Sequence, residues 1–172
     1  VIGQVVFALK KKLGATSCLY TSIVVDDGST DATAVEAKNA GAHVIRSILN
    51  SGCGGATALG IHYASMNGFD IATTSDADGQ HAPNDVVRGI DTLIKGSADL
   101  LIGSRLIDAT GMSKVKIIGN KGLSLLTLLI LGVNSTDSQS GLRVFSRRAL
   151  ESLRWKTSGY EFCSEMLWRA KQ

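Results

Sequence analysis

An α/β domain with a largely parallel sheet is the fold the sequence predicts, and three observations predict it. Short β-branched or apolar runs of roughly four to six residues alternate with helical stretches of roughly ten or more. The early runs break off in polar turns carrying Asp, Gly and Ser. The length, 172 residues, fits one such domain and leaves little room for a second.

Each element has its own signal. Val1, Ile2, Val5, Val6, Leu9 and Leu13 recur at helical spacing, and Lys10, Lys11 and Lys12 gather where cations suit the C-terminal end of a helix. Ile23 to Val25 predicts a strand that stops at Asp26-Asp27-Gly28-Ser29-Thr30-Asp31, with a helix from about Thr30 to Ala40. The rhythm repeats: a strand over His43 to Ser47, a helix over Gly55 to Asn67, a strand over Ile71 to Ser75, a helix over Asp85 to Lys95 led in by Pro83, and a strand over Asp99 to Ser104. Right-handed βαβ units follow, with ligands expected at the carboxyl ends of the strands. After Ser104 come a loop from Arg105 to Ser113, an apolar helix from about Lys114 to Leu131, a polar turn from Asn134 to Ser140 and a strand over Leu142 to Phe145. Ser146 is placed to cap a short helix through Leu153, and Glu161 to Gln172 is helical in pattern. There is no internal repeat. The chain opens inside a helix and stops without an end signal, so it is expected to be one domain, 1–172, truncated at both ends.

Composition narrows the function classes. Hydrophobic residues are 44% and charged residues 19% of the chain, enough to fill a core and too little charge for a disordered chain. Nineteen Gly against one Pro mean that many positions need unusual backbone angles or close approach. The net charge of +3 is spread out, with one basic block at Lys10 to Lys12, which excludes a nucleic-acid footprint. Cys18, Cys53 and Cys163 are odd in number and lack CxxC spacing, so neither a disulfide framework nor a zinc site is expected and a cytoplasmic setting fits. The apolar stretch Leu123 to Val133 falls well short of the roughly 20 residues of a spanning helix.

The most informative run is Asp76-Ala77-Asp78-Gly79-Gln80-His81, directly after a strand. In an extended chain residues two apart share a face, so Asp76, Asp78 and Gln80 project together as hard oxygen donors suited to Mg²⁺ or Mn²⁺. Read alone, Asp-x-Asp serves equally as a polar strand end. Asp26 and Asp27 close another strand, where carboxylates can accept hydrogen bonds from a ribose or base and Gly28 and Ser29 add donors; an Asx turn with a Ser29 or Thr30 cap explains the same residues. Two acidic strand ends in one parallel sheet open onto one rim.

The runs VVDDGSTD, DADGQH, GSR, SGLRVFSRRAL and GYEFCSEML, in this order from Ile23 to Gln172, resemble the inverting family 2 glycosyltransferases of the GT-A fold. Within that family they are most similar to the branch of dolichyl-phosphate mannose synthase and the polyprenyl-phosphate glycosyltransferases. The resemblance implies a three-layer α/β/α Rossmann-like fold, a nucleotide-diphospho-sugar donor (UDP- or GDP-sugar), a divalent cation, and a polyprenyl phosphate or glycan acceptor at the cytoplasmic face of a membrane. It assigns Asp26 and Asp27 to the nucleoside, with Ser29 beside them, Asp76 to the nucleotide, and Asp78 with Gln80 to the metal. Arg105 and Arg143 correspond to phosphate contacts, and a guanidinium fork suits phosphate oxygens. Lys114, Lys116 and Lys121 lie where relatives carry basic residues for an anionic acceptor, or form the solvated face of a helix.

Departures are equally specific. The first strand of the family, ending like Pro-Ala-Tyr-Asn-Glu, has no counterpart here, and Cys53 stands where a Lys is usual. No Glu-Asp pair supplies a general base. A lipid phosphate, with a second pKa of about 6, is already an anionic nucleophile and hardly needs one. Asp137 is the nearest candidate for a base or acceptor-orienting group, or a turn residue; Glu161 and Glu165 flank a helix start, where a structural role is favoured. Gly122 to Val133 reads first as core, with peripheral contact to a bilayer as the other reading. A dinucleotide-binding oxidoreductase, from Gly52-Cys53-Gly54-Gly55 with Asp76 beyond, and a non-catalytic sugar-nucleotide-binding remnant are the competing functions.

Overall fold

In the computed structural model, residues 1–104, 119, 122, 124, 125, 128, 129, 132 and 137–172 are described. The helix α1 (Ile2–Leu13) leads into β1 (Ile23–Asp26), α2 (Thr33–Asn39), β2 (His43–Arg46), α3 (Gly52–Met66), β3 (Ile71–Thr74), α4 (Pro83–Lys95) and β4 (Leu100–Ile102). Then come β5 (Arg143–Ser146), α5 (Arg147–Ser152) and α6 (Phe162–Lys171). Helices and strands alternate as expected, but among the described residues β1 and β3, expected to bring both acidic strand ends into one parallel sheet, belong to two sheets; the corrections to element bounds are local. α2 starts at Thr33, because Asp31 Oδ1 accepts from the Thr33 N–H at 3.0 Å and Ser29 and Thr30 do not cap it. α3 starts earlier than its apolar pattern, at Gly52. Pro83 sits in the first turn of α4, where its missing N–H costs nothing. Ser146 caps α5 as expected, accepting from the Ala149 N–H at 3.2 Å.

β1 and β2 pair in parallel, Val24 opposite Val44. The second sheet has the order β3-β5-β4, and β5 is antiparallel to both neighbours, with Val144 opposite Thr73 and Leu101. β3 and β4 therefore run parallel to each other with β5 between them. The sequence pattern located β5 without its direction. Its central position explains why Arg143, Val144 and Phe145 are all buried. Among the described residues no strand lies between β1 and β3.

Each sheet has its own core. Ile2, Val6, Ala37 and Ala42 pack under β1 and β2, while Ile61, Ala64, Phe145, Ala149, Leu150, Leu153 and Met166 pack beside β3 and β5. α3 touches both sheets. Gly119, Gly122, Ser124, Leu125, Leu128 and Leu129 are helical, as the sequence predicts. The core reading of this stretch is overturned for its described leucines: Leu125, Leu128 and Leu129 are 55%, 40% and 71% exposed. Ser124 is the buried one among these described residues, its Oγ accepting from the Ser138 N–H at 3.2 Å.

Candidate functional site

β1 delivers Asp26 and Asp27 to the rim, and both are engaged within the protein. Asp26 is buried, its Oδ1 accepts from the Ser29 N–H at 2.9 Å, and Arg46 Nε lies 3.4 Å from Oδ2. Arg46 Nη2 also donates to the Ser29 carbonyl at 2.7 Å, so Ser29 is held from both sides. Asp27 Oδ1 accepts from the Ser51 N–H at 2.8 Å and the Ser51 hydroxyl at 2.7 Å. It thereby ties the end of β1 to the N-terminus of α3. Burial works against ionisation of Asp27, but the Ser51 and Gly52 donors outweigh it and hold the carboxyl below the usual aspartate range.

β3 delivers the second acidic group, and the expected alternation fails there. The backbone turns over 77–78 instead of staying extended, so Asp76, Asp78 and Gln80 do not share one strand face. Asp78 Oδ1 accepts from the Gln80 N–H at 2.9 Å, an Asx-type turn that sets these two residues together on the surface. Asp76 leans the other way. Its half-exposed carboxylate lies 4.0 Å from Nε2 of the buried His81 ring, and it packs so closely on Gly141 that any Cβ there would overlap it. Thr74 Oγ1 donates to the Gly141 carbonyl at 2.9 Å, which fixes that approach. No group of three His, Cys, Asp or Glu side chains that could hold a metal is found among the described residues.

Arg143, the first residue of β5, follows Gly141 by two positions and is only 2% exposed. Its Nη2 donates to Cys163 Sγ at 2.9 Å, its guanidinium carbon sits 4.7 Å from the centre of the Phe162 ring, and its Nε is buried without a partner. Phe162 in turn abuts the start of α3, where a Cβ on Gly54 would lie 2.9 Å from Phe162 Cβ. Contacts thus run from Asp27 through Ser51 and the first turn of α3 to Phe162 and Arg143, and the chain itself links Arg143 to Gly141, on which Asp76 packs, so that these residues form one rim.

A loop that the sequence did not mark as functional holds this rim together. The Gly54 N–H donates to the Ser158 carbonyl at 2.7 Å, and Trp155 Nε1 donates to the Gly54 carbonyl at 3.0 Å. Gly52 has φ +75°, and a Cβ there would lie 2.6 Å from the Ser158 carbonyl oxygen, so this position requires glycine. The glycine run is therefore occupied by neighbouring backbone, which removes the basis for a dinucleotide fingerprint. Glu165 anchors the loop, its Oε2 accepting from the Lys156 N–H, the Thr157 N–H and the Thr157 hydroxyl at 3.0, 2.9 and 2.8 Å. Burial pushes the Glu165 pKa up, but these donors and Arg169 bring it down to about 2. The structural role expected for Glu165 is the one observed.

Cys53 is a half-buried thiol that burial keeps neutral by pushing its pKa up, and a cysteine brings no cation to the start of α3. Asp137 is completely buried in the turn before Gly141 and touches no open surface; the Ser140 N–H donates to its carbonyl at 3.3 Å. Arg105, Lys114, Lys116 and Lys121 lie outside the described residues. Phe162, Cys163 and the 155–158 loop were missed because their roles depend on contacts between separate segments, 20 residues apart for Arg143 with Cys163 and 101 for Trp155 with Gly54.

Residues 1–154 match the model of glycosyl transferase family 2. The chain is 46% identical over 128 residues to the UDP-N-acetylglucosamine–dolichyl-phosphate N-acetylglucosaminyltransferase of Methanococcus voltae, covering 72% of this chain and 51% of that protein. It is 31% identical to the polyprenol monophosphomannose synthase of Mycolicibacterium smegmatis, covering 86% of this chain and 60% of that one. The chain thus spans only part of the length of these curated relatives. Its backbone superposes with a TM-score of 0.66 on glucosyl-3-phosphoglycerate synthase from Mycobacterium tuberculosis, solved with Mn²⁺, uridine diphosphate and glucosyl-3-phosphoglycerate. That match has 23% identity and covers 96% of this chain and 58% of that one; at this identity it carries the fold, which is GT-A.

Proposed function

The chain belongs to glycosyl transferase family 2, and from that premise we propose that it carries most of the catalytic domain of an inverting enzyme. The reaction moves a sugar from a UDP- or GDP-sugar to a polyprenyl phosphate. The observation that supports this reading best is the rim itself, where Asp76 packs on Gly141 and Arg143, buried two residues further on, has no carboxylate within 4.0 Å among the described residues. Relatives named for dolichyl and polyprenyl acceptors support the lipid phosphate.

The chemistry follows from where charge develops. Departure of the nucleoside diphosphate builds negative charge on its oxygens, and Arg143 supplies a cation that no carboxylate among the described residues neutralises within 4.0 Å. The exposed oxygens of Asp78 and Gln80 fit a cation that takes one or two protein ligands and completes its shell with water and phosphate. Bound Mg²⁺ or Mn²⁺ there would supply Lewis-acid stabilisation of the diphosphate, and the fold relative solved with Mn²⁺ and uridine diphosphate supports that assignment. Asp26 and Asp27 shape the nucleoside end of the rim through Ser29 and Ser51, and Arg105 is the second phosphate contact.

An acceptor phosphate brings its own negative charge to the anomeric carbon, so no side chain has to remove a proton. The complete burial of Asp137 agrees with this; we assign it to ordering the turn that leads to Arg143 rather than to base catalysis. The exposed Leu125, Leu128 and Leu129 suit peripheral contact with a bilayer holding a lipid acceptor, and no described helix is long and apolar enough to cross a membrane.

Full-length protein, given Mn²⁺, a panel of UDP- and GDP-sugars and a polyprenyl phosphate, should form a glycosylated lipid phosphate detectable by mass spectrometry. Nucleotide binding without product would instead support the non-catalytic sugar-nucleotide-binding reading. Absence of both overturns the proposal.

A further inference from the structure

We propose that Phe162 and Cys163, in the first turn of α6, are positioning residues that seat the Arg143 guanidinium toward a diphosphate without neutralising it. The inference rests on the donor reading above and goes beyond it by assigning a role to two residues of α6.

A guanidinium removed from water is normally held by a carboxylate, because an unpaired buried charge is costly. Arg143 is 2% exposed and has no carboxylate within 4.0 Å among the described residues. Two uncharged groups hold it instead. Cys163 Sγ accepts from Nη2 at 2.9 Å, and the face of the Phe162 ring lies 4.7 Å from the guanidinium carbon. A ring face attracts a cation through its quadrupole and leaves the full charge in place. The thiol does the same: burial pushes the Cys163 pKa up and the nearby Arg143 charge does not reverse it, so the sulfur stays a neutral acceptor. Direction is fixed while the positive charge is not neutralised and Nε stays buried without a hydrogen-bond partner. The seat is itself anchored, since Phe162 is wedged against Gly54 at the start of α3 and its ring meets Trp155 in a tilted pair with centroids 5.7 Å apart. An anion that enters the rim between Asp76 and α3 therefore meets a charge already aimed.

Calorimetric titration of the full chain in MnCl₂ with UDP, GDP and uridine tests the seat. Cys163→Val keeps the volume and removes the acceptor; it should weaken the binding of the preferred nucleoside diphosphate about tenfold, the usual scale for a hydrogen bond to a charged group, and leave uridine within about twofold. Cys163→Ser, which restores an acceptor, should recover most of the loss. If the valine variant does not fold by circular dichroism, Cys163→Ala takes its place with the same expectation. Unchanged diphosphate binding, equal losses for diphosphate and uridine, or a serine variant as weak as the valine one overturns the seat alone. Wild-type protein that binds neither UDP nor GDP overturns the donor reading and the seat with it.

Discussion

Asp26 and Asp27 close β1, and Asp76 and Asp78 follow β3; the two pairs occupy equivalent places at strand ends and are held in opposite ways. The β1 pair is turned into the protein: Asp26 braces Ser29 and Arg46, and Asp27 caps the start of α3 through Ser51. The β3 pair is turned outward, with Asp76 half exposed over Gly141 and Asp78, also exposed, accepting from the neighbouring Gln80 N–H. A carboxylate satisfied by backbone donors builds the site, whereas one left open can meet a ligand. On the proposed function, the difference separates residues that shape the rim from residues placed to meet what enters it.

The comparison breaks most readily at Asp78. Asp78→Ala should slow sugar transfer about a thousandfold, corresponding to about 4 kcal/mol of lost stabilisation, with thermal unfolding unchanged because the side chain is exposed. Full activity in that variant would remove Asp78 from the metal assignment. Next in size is Gly52→Ala, which forces a Cβ onto the Ser158 carbonyl at a positive φ and should cost about 2–3 kcal/mol in a denaturant titration. Asp27→Ala tests the inward pair directly. Loss of the two Ser51 hydrogen bonds should lower stability by about 1–2 kcal/mol and weaken nucleotide binding together with it, so a variant that loses binding with no change in melting temperature would place Asp27 among the outward residues.

The smallest effect is a pH dependence. The Glu165 pKa lies at about 2 in the fold against 4.5 when free. A depressed carboxylate stabilises fully above its unfolded value, so this contribution is present above about pH 4.5 and is lost as the pH falls toward 2. Glu165→Gln should flatten the acid limb of the stability profile in that window. Identical acid limbs for the two proteins would mean that the 155–158 loop is held without the carboxylate.

Much of this was legible in the chain. The β-branched run Ile23 to Val25, the helical recurrence in α1, and Pro83 at the start of α4 are local signals, and local signals survive because propensity and periodicity act over one or two turns. The turn at Asp78 was not legible as geometry: Asp-x-Asp after a strand fits both an extended continuation and an Asx turn, and the Gln80 N–H decided between them. The exposure of Leu125, Leu128 and Leu129 was not legible either, since hydrophobic content does not specify which face meets protein.

The sequence by itself determined the α/β alternation, the positions of the acidic strand ends and, through its motifs, the family. Only the tertiary structure decided the antiparallel insertion of β5, the inward engagement of Asp26 and Asp27, and the seat of Arg143 on Phe162 and Cys163. The reason is the range of the forces involved. A strand or helix is written in neighbouring residues, but the partner of a buried charge comes from wherever packing brings a second segment, and Arg143 meets α6 only because β5 fills the space between β3 and β4.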